Sequence, residues 1–486
     1  MSENDIGEPA TYQRCGLPQY DGNPFIEALP PIMSMVDAAS NMRRYPEAPT
    51  QSVIALSPEV RRHDVGRLYG LLQPLPFHLE VQATFDEVLR GAYVPRNPLL
   101  PSIKRWVHRV ERVDFSTTTG TLALTGASGM GKTKLAELIC GLYPQVIQHT
   151  VYNGQPFEWI QIVYLIVECP PNGTFGGLYD AFFRAVDRVL GTDHYNSVKG
   201  ATNSVKRGLM LQLCRTYWIG VLIIDELQHL NDAKAGGRRE MLNFFDALTN
   251  DEGVATFKIG TYSAISMFAD ELRSARRANG DGLYDFKRAL QTDKWWDLLV
   301  DTAWEYQWTQ SRTEMTPEIR ATLYDLTQGI TAILIRLLVL AQKRAITLGK
   351  KKITSAFLKK IFNDYLTIVK PAVQALRRGG AKALKLFEDL LPTSDRIDAH
   401  IAAIDKASQN STEDLLLELA RMRDAAVAAE AKQSAARLPT LSPTEARIAR
   451  LKGLSGDASL ILSVDSESPV KDLRSRGYIP ETCEEF

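Results

Sequence analysis

The sequence predicts an α/β fold: a parallel sheet with flanking helices, followed by an α-helical region. Three observations carry this. Strand-like and helix-like stretches alternate at 121–125, 131–141, 161–168, 177–190, 221–225, 238–249 and 254–260. The run Val221-Leu-Ile-Ile is apolar at every position, as in a strand buried on both faces. From about Thr316 only helical patterning remains, at 317–327, 331–348 and 354–368.

The stretch from Thr121 to Ile139 reads as a buried strand, a glycine-rich turn and the opening of a helix. Gly126, Ala127, Ser128, Gly129, Met130, Gly131, Lys132 and Thr133 satisfy G-x-x-x-x-G-K-[ST], the P-loop pattern, and Lys134 follows. Glycines at three of these positions let successive N–H groups turn inward toward phosphate oxygens. A helix beginning near Gly131 adds its positive N-terminal end. Lys132 is placed to reach the β- and γ-phosphates of ATP, and the Thr133 hydroxyl to hold Mg²⁺.

A second motif supports the first. Val221-Leu-Ile-Ile-Asp225-Glu226-Leu-Gln-His ends a strand with two carboxylates, where open α/β sheets place their ligands. Asp225 is the expected partner of Mg²⁺ with Thr133, and Glu226 the group that polarises the attacking water. The simpler alternative is a solvated acidic turn. At the end of the last strand, Gly260-Thr261-Tyr262-Ser263 makes Thr261 a candidate to orient that water (sensor 1), with a helix N-cap as the alternative. In the apolar 331–348 helix, Arg336 is either a snorkelling side chain or a nucleotide ligand (sensor 2), and the ligand reading is preferred. Arg273, Arg276 and Arg277, with Lys287 and Arg288, follow Thr261, and Arg276 and Arg277 are the arginine-finger candidates.

Composition narrows the partners. The 57 basic and 57 acidic residues cancel, so any nucleic-acid surface must be a local patch. The cluster Lys343, Arg344, Lys350, Lys351, Lys352, Lys359 and Lys360 is such a patch or a solvated helix face. The five cysteines lack CxxC spacing, which argues against a zinc site or disulfide framework. The acidic, polar N-terminus predicts no signal peptide, and 330–341 is too short to span a bilayer. A cytoplasmic protein without a membrane partner is expected.

The organisation expected is an N-terminal arm and helices for partner recruitment (1–118), a P-loop ATPase core (119–305), a helical lid (306–378) and a partly flexible, partner-facing tail (379–486). The first hundred residues hold twelve prolines, which predicts an extended arm with short helices, one of them at 81–90. Another helix is expected at 102–113. Beyond Gly379-Gly380, Ala, Asp, Glu, Lys and Ser dominate, with helices near 381–391 and 412–434.

A P-loop core, a helical lid and sensor and finger candidates in this order look like an AAA+ ATPase. Longer segments sharpen the likeness: Asn23-Pro-Phe-Ile-Glu-Ala-Leu-Pro-Pro, Leu71-Leu-Gln-Pro-Leu-Pro-Phe-His-Leu, Arg90-Gly-Ala-Tyr-Val-Pro-Arg-Asn-Pro, Ile224-Asp-Glu-Leu-Gln-His-Leu and Leu272-Arg-Ser-Ala-Arg-Arg. From about residue 20 to 380 they resemble TnsC, the regulator ATPase of heteromeric Tns-type transposons, and more loosely TniB and MuB. The sensor-1 strand departs from that pattern: Gly-Thr-Tyr stands where the relatives tend to have Gly-Thr-Pro, and Lys258 lies inside the strand.

The resemblance implies an ATP-dependent regulator of DNA transposition. It would assemble as a homo-oligomeric ring, hexameric or heptameric, or as a filament on duplex target DNA. It would link a TnsD/TniQ-type targeting protein to TnsA/TnsB-type transposase subunits, with hydrolysis resetting the assembly. Sequence-neutral contacts to phosphates suffice for such binding, and a ring multiplies them. Lys199, Lys206 and Arg207 are the candidate DNA-facing residues. The alternative is a replication-type helicase loader or initiator ATPase, which shares the nucleotide residues and differs in partners. A signalling NTPase without DNA is the third reading.

Overall fold

The computed structural model describes residues 6–115, 120–171, 173–232, 244–245, 247–262, 282–379, 382–409 and 422–423. The chain divides into two compact units, 1–402 and 403–486, and the sheets, the lid and the candidate site belong to the first.

Its strands are β1 (Glu8–Pro9), β2 (Thr121–Gly126), β3 (Val146–Tyr152), β4 (Gln155–Ile162), β5 (Tyr164–Glu168), β6 (Val221–Asp225), β7 (Ala255–Gly260) and β8 (Leu283–Phe286). Five of them form one sheet in the order β5-β6-β7-β2-β8. Every neighbouring pair is parallel, as the alternation predicts. All residues of β6 and β7 are buried, in keeping with helices on both faces. In this order β7 lies between the strand that leads into the P-loop and the strand that ends in Asp225-Glu226. Three loops with candidate chemistry therefore meet at one sheet edge.

The sequence reading missed β3, β4 and β8. It also ran 161–168 together, where Ile162 ends β4 and Tyr164 opens β5. β3 and β4 form an antiparallel hairpin, with β1 added parallel to β3. The turn is Asn153-Gly154, both at positive φ (48° and 77°), the pairing that two-residue hairpins favour.

The N-terminal residues are not an arm standing apart. Besides a single helical turn at Gln51–Ile54, their helices are α1 (Pro24–Glu27), α2 (Met35–Met42), α3 (Pro58–Asp64), α4 (Pro76–Tyr93) and α5 (Pro101–Val107). Four of these six begin on proline, where the missing N–H has no helical partner to lose and φ is already set. The prolines start helices here rather than prevent them. α4 runs 18 residues, not the ten expected, and packs on β2 and β7 through Val81, Phe85 and Leu89. Side chains of this size each stabilise by about 1.5–3 kcal/mol when fully buried. Tyr93 Oη donates to Trp218 O at 2.8 Å, and the buried Arg96 donates to Ile219 O at 2.9 Å. α5 stops at Val107 rather than 113, and Arg109 takes a positive φ of 60°.

The core helices are α6 (Lys132–Cys140), α7 (Phe175–Leu190) and α8 (Asn203–Thr216). The stretch 238–249 lies largely outside the described residues. After β8 come α9 (Lys294–Trp304), α10 (Pro317–Thr327), α11 (Thr331–Thr347), α12 (Ser355–Tyr365), α13 (Lys370–Arg378), α14 (Ala383–Leu390) and α15 (Ser394–Gln409). The three lid helices expected at 317–327, 331–348 and 354–368 correspond to α10 to α12. α11 packs on α3 and on the turn Val65–Gly70, so lid and N-terminal segment touch. Among the described residues no single helix is long and apolar enough to cross a membrane. Cys140, Cys169 and Cys214 are buried and Cys15 is exposed, all as free thiols.

Candidate nucleotide site

Gly126 ends β2 against β8, where an added Cβ would lie 2.5 Å from Phe286 O, so only glycine fits. Gly131 has φ +96° and caps α6 in the left-handed conformation. Between them the loop curls around the Lys132 side chain. Lys132 is 9% exposed, and its Nζ donates to Gly126 O at 2.8 Å and Ala127 O at 3.1 Å. Burial lowers its pKa, and the nearby carboxylates of Glu226, Glu388 and Asp225 oppose that shift.

From the next residue, Thr133 Oγ1 donates to Asp225 Oδ2 at 2.6 Å. This joins the start of α6 to the end of β6 across the intervening β7. A hydroxyl and a carboxylate in contact form a hard oxygen pair that fits Mg²⁺. Asp225 Oδ1 accepts the Glu226 N–H at 2.7 Å, which holds Glu226 at a positive φ of 55°. Gln228 then bridges two candidates. Its Nε2 donates to Glu226 Oε2, and its Oε1 accepts the Thr261 N–H at 3.1 Å.

These residues line a cavity of about 490 Å³, within the range of small-molecule sites. Ser128, Gly129, Met130, Gly131, Lys132, Thr133 and Lys134 form one wall, and Asp225, Glu226, Gln228 and Thr261 another. The lid supplies Thr331, Ala332 and Arg336. Thr331 Oγ1 donates to Gly129 O and Met130 O, both at 3.0 Å, and the Ala332 N–H donates to Gly129 O at 3.0 Å. The last wall comes from the N-terminal segment: Tyr69, Leu71, Leu72, Gln73, Leu75 and His78. His78 is buried, which pushes its pKa down to about 4 and keeps it neutral. Arg336 reaches Asp398 Oδ1 through Nη2 at 2.9 Å.

Sequence reasoning thus named the polar walls and missed Gln228, Thr331 and the N-terminal wall. Gln228 lay in plain view, two residues beyond Glu226. The N-terminal wall carries no motif and comes from about 50 residues upstream of the P-loop. Lys134 lines the rim and pairs with Glu137 at 2.9 Å.

Several expectations need correcting. Lys206 is not a DNA-facing side chain: it is 7% exposed and ion-paired to Asp180 at 2.6 Å. The apolar side of α8 that packs on α7 carries it inward. Lys258, inside β7, is buried with its ammonium 4.3 Å from the Phe245 ring centroid, a cation–π contact that accounts for a lysine there. Arg288 turns into its own chain, donating to Tyr324 Oη at 3.3 Å and Gln328 O at 3.0 Å. Arg273, Arg276 and Arg277 lie outside the described residues.

Residues 115–268 match the AAA domain family, a span that holds both motifs and β2 to β7. This is an ATPase. Its fold is the AAA+ P-loop fold, with a parallel five-stranded sheet and a helical C-terminal region. No curated protein matches the ATPase. Among solved structures it is similar to the Aeropyrum pernix ORC2 protein in ADPNP–ADP complexes, at 12% identity over 71% of this chain and 98% of that one, with a TM-score of 0.39. Cdc6p from Pyrobaculum aerophilum is 13% identical over 74% of this chain and 90% of its own, at a TM-score of 0.40. Drosophila ORC bound to DNA is 12% identical over 82% and 88%, at 0.34. These likenesses are loose.

Proposed function

We propose that this ATPase regulates DNA transposition, assembling on duplex target DNA and linking a TnsD/TniQ-type targeting protein to TnsA/TnsB-type transposase subunits. The observation that carries the reading is one chain holding two things. One is a nucleotide site joined through Thr133 and Asp225. The other is the run Asn23-Pro-Phe-Ile-Glu-Ala-Leu-Pro-Pro, which resembles TnsC and whose Asn23 to Leu29 are buried in the core.

In this reading the P-loop amides and Lys132 take the phosphates of ATP. Thr133 and Asp225 hold Mg²⁺, which neutralises charge on the phosphate oxygens when bound. Glu226 accepts a proton from water as its oxygen attacks the γ-phosphorus. The bond from that phosphorus to the β–γ bridging oxygen breaks, leaving ADP and phosphate. Thr261 orients the water, and Arg336 reads the terminal phosphate from the lid. Arg276 or Arg277 of a neighbouring subunit supplies charge in the transition state. Hydrolysis then resets the assembly.

The test is retention on random-sequence duplex DNA with ATP, with ADP and without nucleotide, followed by a transposition assay with the candidate partners. ATP-dependent retention and partner-dependent insertion support the reading. ATP-dependent retention with helicase loading instead of insertion favours an initiator-type ATPase. No retention under any condition removes both.

A further inference from the structure

Gln228 is fixed at both ends of its amide. Nε2 donates to Glu226 Oε2, while Oε1 accepts the Thr261 N–H at 3.1 Å. The amide cannot be turned over: a flip would set its oxygen against a carboxylate and its NH₂ against an N–H donor. The backbone of Glu226 is held separately by the Asp225 carboxylate. We infer that Gln228 is a positioning residue for hydrolysis, clamping one oxygen of Glu226 and tying its place to Thr261 at the end of β7. A water then uses the other oxygen, and a shift of the Thr261 loop moves the glutamate with it. The inference rests on Glu226 as the water-polarising group.

The test is ATP turnover against pH, with nucleotide affinity measured beside it, in the full chain and in Gln228→Ala, Gln228→Asn and Gln228→Glu. Asparagine keeps the amide but is one methylene too short to span both partners. The alanine and asparagine variants should lose about 10- to 100-fold in kcat while nucleotide Kd stays within about twofold. Gln228→Glu faces one carboxylate with another, so a shared proton should move the acid limb of kcat up by about one pH unit or more. Parental kcat in Gln228→Ala, or kcat and affinity falling in step, overturns the inference. Parental turnover in Glu226→Gln overturns the assignment of Glu226 itself, and this inference with it.

A second inference stands on other residues. Phe387 of α14 and Ile397 of α15 are buried and seat the segment 383–400 against the lid and core. Glu388 Oε1 thereby accepts the Tyr262 N–H at 3.3 Å, next to Thr261, and Asp398 takes Arg336 at 2.9 Å. Glu388 is also among the carboxylates that act on Lys132. Two carboxylates from beyond the lid thus engage groups at the margin of the cavity, Asp398 the Arg336 guanidinium and Glu388 the N–H next to Thr261. The geometry points to an autoinhibitory contact, in which Asp398 engages Arg336 and nucleotide phosphate competes for that guanidinium. It rests on Arg336 as a phosphate ligand.

The probe is a fluorescent, non-hydrolysable ATP analogue. Asp398→Asn should bind it about two- to fivefold tighter than the parent, since the pair is partly exposed and screened, and adding Glu388→Gln should tighten it further. In the parent, amide exchange across 383–400 should speed up on adding the analogue. Unchanged or weaker affinity in the double variant overturns the inference. So does an affinity as tight as that of Asp398→Asn alone on placing Arg336→Gln in that background, which removes Arg336 from the site.

Discussion

At the base of the cavity Lys132 donates to two carbonyls of its own loop, and its burial works against its charge. A phosphate anion would stabilise such a buried ammonium. Lys132→Ala should therefore weaken ATP binding by about 100-fold or more, read by equilibrium titration, and abolish ATP-dependent DNA retention with it. Glu226→Gln should keep its affinity for ATP, lower turnover by about 10²- to 10⁴-fold and prolong the complex on DNA. Dissociation as fast as the parent's would remove Glu226 from the role. These residues were legible because backbone geometry and charge confine them to short runs. Lys206 was misread because sequence gives the charge of a side chain but not the direction it faces. Asp180, its partner, lies 26 residues away.

Among the elements, β2 and β8 meet so closely at Gly126 that a methyl group would meet backbone, which cannot move aside. Gly126→Ala should destabilise by about 1–3 kcal/mol in chemical denaturation and impair nucleotide binding together with stability. The hairpin β3–β4 carries a different sensitivity. His149 accepts from Tyr12 or donates to it at 2.8 Å and bonds Gln161 at 2.9 Å, both through ring nitrogens. Burial lowers its pKa from 6.5 to about 4. Between those values the unfolded chain takes up the proton and the folded one does not, so stability falls as pH drops through that window. The loss approaches about 3 kcal/mol at its lower end, and His78 adds in the same direction. His149→Phe should flatten the decline, measured by urea midpoints from pH 7 to 4; an unchanged slope would place the acid sensitivity elsewhere. The hairpin carried its own signal in Asn153-Gly154, which a search for helix-and-strand alternation passes over. The N-terminal helices were underread because prolines were taken as breakers, whereas most begin a helix on one. β8 was missed because four residues of mixed polarity carry no periodicity of their own.

For the molecule as a whole, the P-loop, the acidic pair and the order of core and lid were readable before any coordinates. The closing of the cavity by the N-terminal segment was not, because it depends on contacts between residues far apart in the chain. The finger assignment belongs to this scale, since Arg276 and Arg277 act on a neighbour. Arg276→Ala and Arg277→Ala should depress ATP turnover on DNA while leaving the turnover of the dilute, unassembled protein unchanged. Turnover on DNA equal to the parent's in both variants would remove them from the role. The central claim is that nucleotide drives assembly on duplex DNA, and electron microscopy of the full chain with random duplex tests it most directly. Rings or filaments on DNA with a slowly hydrolysed ATP analogue, and none without nucleotide, are the expected result. Separate protomers under both conditions would contradict it.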